Sequence, residues 1–451
     1  MTTGPAEPAT LETVRERFIR AATWHGGLAE AKAILAEFPA LAVADIHLAA
    51  ISGDDAAVAR FLAADPASVH ARTGPLGVNG ADALALLCLS KFLRLDDART
   101  PAFVRAATAL LDAGADANTG FWTSEPNREY ESALYGAAGV AHHPELTALL
   151  LARGANPNDE EVPYHAPESY DNRALALLVE SGQLTPESLA IMLVRKCDWH
   201  DEAGLRYLLA HGADANGARK RGWLALHHAL RRDNALAMIT ALLDHGADPH
   251  IISGGITVLA RAARHGRSDV IAEFGRRGLA VALDGVDGVI AACAIGDTER
   301  ANALLAASPV MRGQLLAMGG ELLGNFSGTG NPSGVRALLD VGVPVTAPHV
   351  PGDAYWGIPA GSQALHVAAW RLELEVVRTL LERGAPVDAP DPAGRTPLAR
   401  AIHACVDSYW MERRSPEIVR ALLAAGASAG TVPFPCGYAE VDLLLRAAGR
   451  R

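Results

Sequence analysis

The chain has 451 residues, half of them hydrophobic but only 5% aromatic, with 51 acidic against 40 basic side chains and a net charge of −11. That balance argues against nucleic acid, whose binders carry a basic stripe; the short run Arg219-Lys220-Arg221-Gly222 reads as a solvated turn. No apolar stretch approaches the ~18 residues that span a bilayer, so no membrane segment is predicted.

The first ten residues have neither the basic start nor the apolar centre of a signal peptide, and residues 1–14 are predicted to be disordered. Cys88, Cys197, Cys293, Cys405 and Cys436 are odd in number, widely spaced and free of any Cys-x-x-Cys pair. Neither a disulfide framework nor a zinc knuckle follows, and a reducing, cytoplasmic setting is predicted.

Along the chain two phrases alternate. Asp45-Ile46-His47-Leu48-Ala49-Ala50 precedes Ser52-Gly53-Asp54. Leu110-Leu111-Asp112-Ala113-Gly114-Ala115-Asp116-Ala117-Asn118 follows, and its pattern returns at Leu150–Asn158, Leu208–Asn216 and Leu242–His250, with degraded copies at Gly342, Gly384 and Gly426. Each copy predicts a helix end: two leucines on the buried stripe, then a glycine where a left-handed residue closes the last turn. Ala225-Leu226-His227-His228-Ala229-Leu230, Ala364-Leu365-His366-Val367-Ala368-Ala369 and Arg395-Thr396-Pro397-Leu398-Ala399 repeat the first phrase. The spacing means a stacked array rather than one globular core. Abundant alanine suits close helix packing.

These phrases resemble the ankyrin repeat: a turn, a Thr-Pro-Leu-His-x-Ala helix, a short loop, and a second helix ending in Leu-Leu-x-x-Gly-Ala. The resemblance implies an all-α solenoid of roughly 11–12 helix-pair units over residues 15–430. Stretches 171–182 and 285–345 are eroded. Residues 431–451 are predicted to cap the array, their helix Ala439–Arg446 shielding its end. His47, His227 and His366 stand at the repeat's own histidine, which the resemblance assigns to hydrogen bonds with turn backbone.

Long irregular insertions interrupt the pattern in two places within the unit. Between units they are residues 119–131 with Trp122 and Tyr130, residues 159–172 with Tyr164, His165, Tyr170 and Asp171, and residues 346–363 with Trp356. Between the two helices of a unit they are residues 88–103, residues 196–203 with Asp198, Trp199 and His200, and residues 403–416 with Tyr409 and Trp410. In a chain with few aromatics this enrichment points to binding, because Tyr and Trp anchor interfaces and line pockets. His142, His143, His228, Arg231 and Trp370 complete the candidate set. His143 and His228 are each the second of a pair that the repeat does not require, and the His142-His143 loop is one step longer than the pattern. Capping of the helix at Pro144 is the plain alternative for that pair.

No nucleophile elbow, phosphate loop or local metal-ligand spacing is present, so no cofactor and no metal are predicted. Two functions remain. One is a protein partner held on the concave face of the array. The other is a small-molecule site or enzyme centre composed around residues 121–233, where Tyr164, His165, Tyr170 and Asp171 would meet Trp199, His200 and His228.

Overall fold

The computed structural model describes residues 11–94, 98–217, 223–279, 282–408 and 413–450. Its contacts divide the chain into two compact units, Met1–His228 with Asp244–Gly246, and Ala229–Leu243 with Ala247–Arg451. Both units are built of helix pairs, the all-α solenoid expected.

In the first unit the pairs are Leu11–Ala22 and Leu28–Glu37, Ile46–Ser52 and Asp55–Ala64, Ala83–Cys88 and Thr100–Asp112. Then come Tyr135–Val140 and Pro144–Ala152, Glu161–His165 and Arg173–Glu180, Pro186–Asp198 and Glu202–Ala210. The helix Leu11–Ala22 begins inside the segment expected to be irregular. The reason is a helical stripe, Val14, Phe18, Ala21 and Ala22, which is buried. In the second unit, pairs run from Val258–Arg264 and Ser268–Arg276 to Pro397–Asp407 and Glu417–Ala424, followed by Ala439–Ala447. The eroded stretches also hold helices, among them Arg173–Glu180 and the long Pro309–Gly328.

The repeated glycine does what its position demands. At Gly114 the glycine N–H donates to the Leu111 carbonyl, and the next N–H, from Ala115, reaches back to Leu110. This pair of bonds closes a helix only with a left-handed residue at the glycine. Gly212 has φ +91° in the same setting. A Gly212→Val substitution should therefore cost roughly 1–2 kcal/mol, read as a lowered midpoint in urea; wild-type stability would remove the left-handed assignment.

The asparagine ending each phrase stitches neighbours together. Asn118 accepts from Asn156 N at 2.7 Å and donates to Gly154 O at 3.1 Å, and Asn158 accepts from Thr185 N at 2.9 Å. His47 and His366 place Nε2 2.8 Å from the carbonyls of Ala71 and Ala389. Both are the turn contacts that the resemblance implies.

A second corner recurs between the two helices of a pair. Its second residue is left-handed, as Gly53, Gly266, Gly296 and Gly330 are in some copies and Trp24, His142, His200, Asp233 and Leu372 in others. The residue after it commonly caps the second helix, as Asp54 does for Ala57, Asp201 for Gly204 and Asn331 for Gly334. At His142 the corner arrives one residue late. The chain absorbs the extra residue as a π-helical turn over Tyr135–Val140, with Ala141 N bonding Gly136 O five residues back. His143 then caps the helix Pro144–Ala152 through Nδ1, 3.2 Å from Leu146 N.

Candidate functional site

Two insertions of the first unit lie beside each other. Residues 120–122 and 130–132 pair as an antiparallel hairpin, and the following insertion folds into the short helix Glu161–His165. That helix rests on the π-helical turn at Gly139, where a Cβ would come within 2.8 Å of His165. Glycine permits this close approach, and Tyr135 and His165 rings lie 5.2 Å apart.

His165 is clamped by two carboxylates, with Glu161 3.1 Å from Nε2 and Glu168 3.1 Å from Nδ1. Burial alone would lower its pKa, but these bonds overcome it and hold the ring protonated to about 9. Glu168 in turn pairs with Arg195, which also pairs with Asp198 on its own helix. The Arg195 guanidinium lies over the Tyr164 ring at 4.1 Å and donates to the Tyr164 carbonyl at 3.2 Å. Asp198 receives the buried His228 at 2.7 Å, and His228 stacks on Trp223 at 5.3 Å. A continuous polar chain thus links Glu161, His165, Glu168, Arg195, Asp198 and His228.

Several residues expected to converge do so: Tyr164, His165, Asp198 and His228 through this chain, and Tyr170 against Trp199 at 6.0 Å. Tyr170 is 68% exposed. On the hairpin, Trp122 is 43% exposed and lies 5.0 Å from Tyr130 and 5.1 Å from Arg128. Asp171 turns away to an exposed pair with Arg173. With His142, His143 and Arg94, that pair lines an open cleft of about 880 Å³. Burial and the nearby Arg94 push the His142 pKa down to about 4, so its ring is neutral at pH 7. His142 and His200 are the corner residues described above, which accounts for their backbone placement.

Beneath the chain lies a buried ion pair. Lys196, fully buried, donates to Asp201 and to the Ser169 carbonyl, each at 2.7 Å. Asp201 also accepts from Asn172 at 2.9 Å. This pair ties the 159–172 insertion to the corner at residues 196–203.

The second unit corrects other expectations. Trp356 and Trp370 are buried rather than presented. Trp370 Nε1 donates to the Trp356 carbonyl, and Arg371 covers the Trp356 ring at 3.7 Å. They serve as plugs, because an inserted loop needs apolar mass to cover the helix beneath it. Arg231 lines a void of about 20 Å³ with Asp233, His265 and Arg371, room for little more than a water. Tyr409 and Trp410 lie outside the described residues, as does the basic run at 219–222. Among the described residues no helix is long and apolar enough to cross a membrane.

Arg195, Glu161 and Glu131 were not singled out by sequence. Arg195 carried a faint signal, being three residues before Asp198 on one helix, whereas Glu131 carried none.

No curated protein matches the chain. Family models do: ankyrin repeats in three copies over residues 198–278, and an ankyrin repeat over residues 360–392. Such repeats are in general protein-interaction modules. Both matches fall on helix pairs that end in the glycine turn described above, and the same pair recurs beyond them: this is an ankyrin-repeat protein.

Proposed function

We propose that the chain binds a partner protein through the face that its loop insertions extend in the first unit, built from the 120–132 hairpin, the first helices and the corners at residues 166–172 and 199–201. In arrays of this family the turns and first helices form the concave face. The observation that carries the reading is the pair of exposed aromatic platforms, Tyr170 on Trp199 and Trp122 on Tyr130. Tyr and Trp held in place by neighbouring rings lose little entropy on binding and are typical anchors. The cleft next to Tyr170, lined by Ser169 and Asp171, is open, which suits a protein better than an enclosed small molecule. The array is proposed to extend over residues 15–430, with residues 431–451 closing its end. Five free thiols, four of them buried, suit the cytoplasm.

A photo-crosslinking amino acid at position 170 or 122 tests this in cells that make the protein. Both positions should yield the same discrete adduct, and position 206, on the second-helix face, should not. Trp122→Ala with Tyr170→Ala should abolish the partner complex with little change in melting temperature. Identical adducts from position 206, or none from 170 and 122, would overturn the proposal.

A further inference from the structure

We propose that Glu131, Asp159 and Glu161 form a receptor for one lysine or arginine side chain of the partner. The proposal rests on the partner-protein reading and specifies what the partner must carry.

Glu131 lies on the strand Tyr130–Ser132 and is 2% exposed, and its Oε2 is buried without a hydrogen-bond partner. Asp159 opens the next insertion. Its Oδ1 accepts from Val162 N at 2.8 Å, and the carboxylate, whose Oδ2 is buried, has only the Ser132 hydroxyl besides. Glu161, with 18% side-chain exposure, is the edge of the group that solvent reaches. After burial, the charges of Glu161 and Glu129 and, more weakly, that of Asp159 raise the Glu131 pKa, with His165 opposing them.

Buried carboxylate oxygens normally find donors. Here the local cations are committed elsewhere, His165 to Glu161 and Glu168, and Arg195 to Glu168 and Asp198. Among the described residues no ion pair reaches Glu131 or Asp159. The Glu131 acceptor, beside a second buried carboxylate that has no cation of its own, therefore suits a group with several N–H donors. A metal ion fits less well, since among the described residues no three His, Cys, Asp or Glu side chains converge as its ligands would. An ammonium or guanidinium can bridge wider spacings, and Tyr135 offers an aromatic wall beside the same carboxylates. The net charge of −11 would steer a basic segment toward this surface.

The test uses full-length protein, a blocked tetralysine peptide and the same peptide with every Nε acetylated, titrated by calorimetry. The free-amine peptide should bind and the acetylated one should not. Glu131→Gln and Asp159→Asn should each weaken binding tenfold or more, while the exposed control Glu187→Gln should leave it unchanged. Equal losses in the control would mean diffuse charge attraction and overturn the receptor, as would full binding by Glu131→Gln or displacement of the peptide by calcium. Crosslinks from position 170 separate the two levels. If they persist in Glu131→Gln at wild-type yield, the receptor fails and the partner reading stands; if they are missing in the wild type, both fail.

Discussion

Lys196→Ala should cost about 3–5 kcal/mol, the range for stranding one member of a buried ion pair. The ammonium is wholly enclosed, and its loss takes a donor from both Asp201 and the Ser169 carbonyl. Without it Asp201 keeps only Asn172 and the Gly204 N–H. Burial raises the Asp201 pKa, but the Gly204 N–H, Lys196 and Asn172 together hold it below the usual aspartate range. A depressed carboxylate contributes stability above its unfolded pKa, and that stability is lost as pH falls through its folded value. The deficit of Lys196→Ala should therefore be widest at neutral pH and narrow below about pH 4. Replacing both members, Lys196→Met with Asp201→Asn, should recover most of the loss while keeping a side chain to cap Gly204. Urea denaturation at pH 7 and pH 3.5 decides the matter; a single-variant loss under about 1 kcal/mol, no more than an exposed pair is worth, would show that the charges are solvated after all.

Glu131→Gln should raise stability above about pH 4.5, by more as the pH climbs toward 8. Burial and the neighbouring Glu161 push the Glu131 pKa up to about 8 from an unfolded value of 4.5. The folded chain thus holds a proton that the unfolded chain releases, and stability declines as pH climbs between those two values. Glutamine is neutral throughout. Its advantage should be near zero around pH 4.5 and reach roughly 1–3 kcal/mol above pH 8, the cost of an unmet buried acceptor. Thermal melts of the two proteins across that range should diverge; parallel curves would mean that Glu131 ionises freely. The same substitution is the one expected to abolish lysine recognition, so a variant that gains stability while losing its ligand is the joint signature.

The features legible in sequence are those whose chemistry is local. Gly114 and Gly212 announce left-handed helix ends because the bonds they close lie within five residues. His47 and His366 are similar, since the turn they reach belongs to the next copy. Of the polar chain from Glu161 to His228, only His165, Asp198 and His228 were legible. Its middle member, Arg195, is an ordinary helix residue until stacking sets it between two insertions. Aromatic enrichment in the insertions suits anchors and plugs alike, and the structure divides it: Trp122 stands exposed while Trp356 and Trp370 are buried. The same ring chemistry serves an anchor and a plug, and only the depth of the loop separates them. Glu131 was invisible because a strand of three residues gives no alternation from which to infer that its carboxylate points inward.

The interhelical corner has a bearing on how this array can be rebuilt. Copies turning on Gly53, Gly266, Gly296 or Gly330 carry no side chain there and are in that respect interchangeable parts. Those turning on Trp24, His142, His200, Asp233 or Leu372 hold an L residue in a conformation that disfavours it by roughly 1–2 kcal/mol. Each such corner is a fixed address: a transplanted glycine copy would fit the backbone better and erase what the address says. For anyone shortening, duplicating or grafting this scaffold, a glycine corner comes without that strain but still needs its neighbour, as Gly53 lies against Phe103 and Gly266 against Phe326, while the other corners carry the protein's individuality.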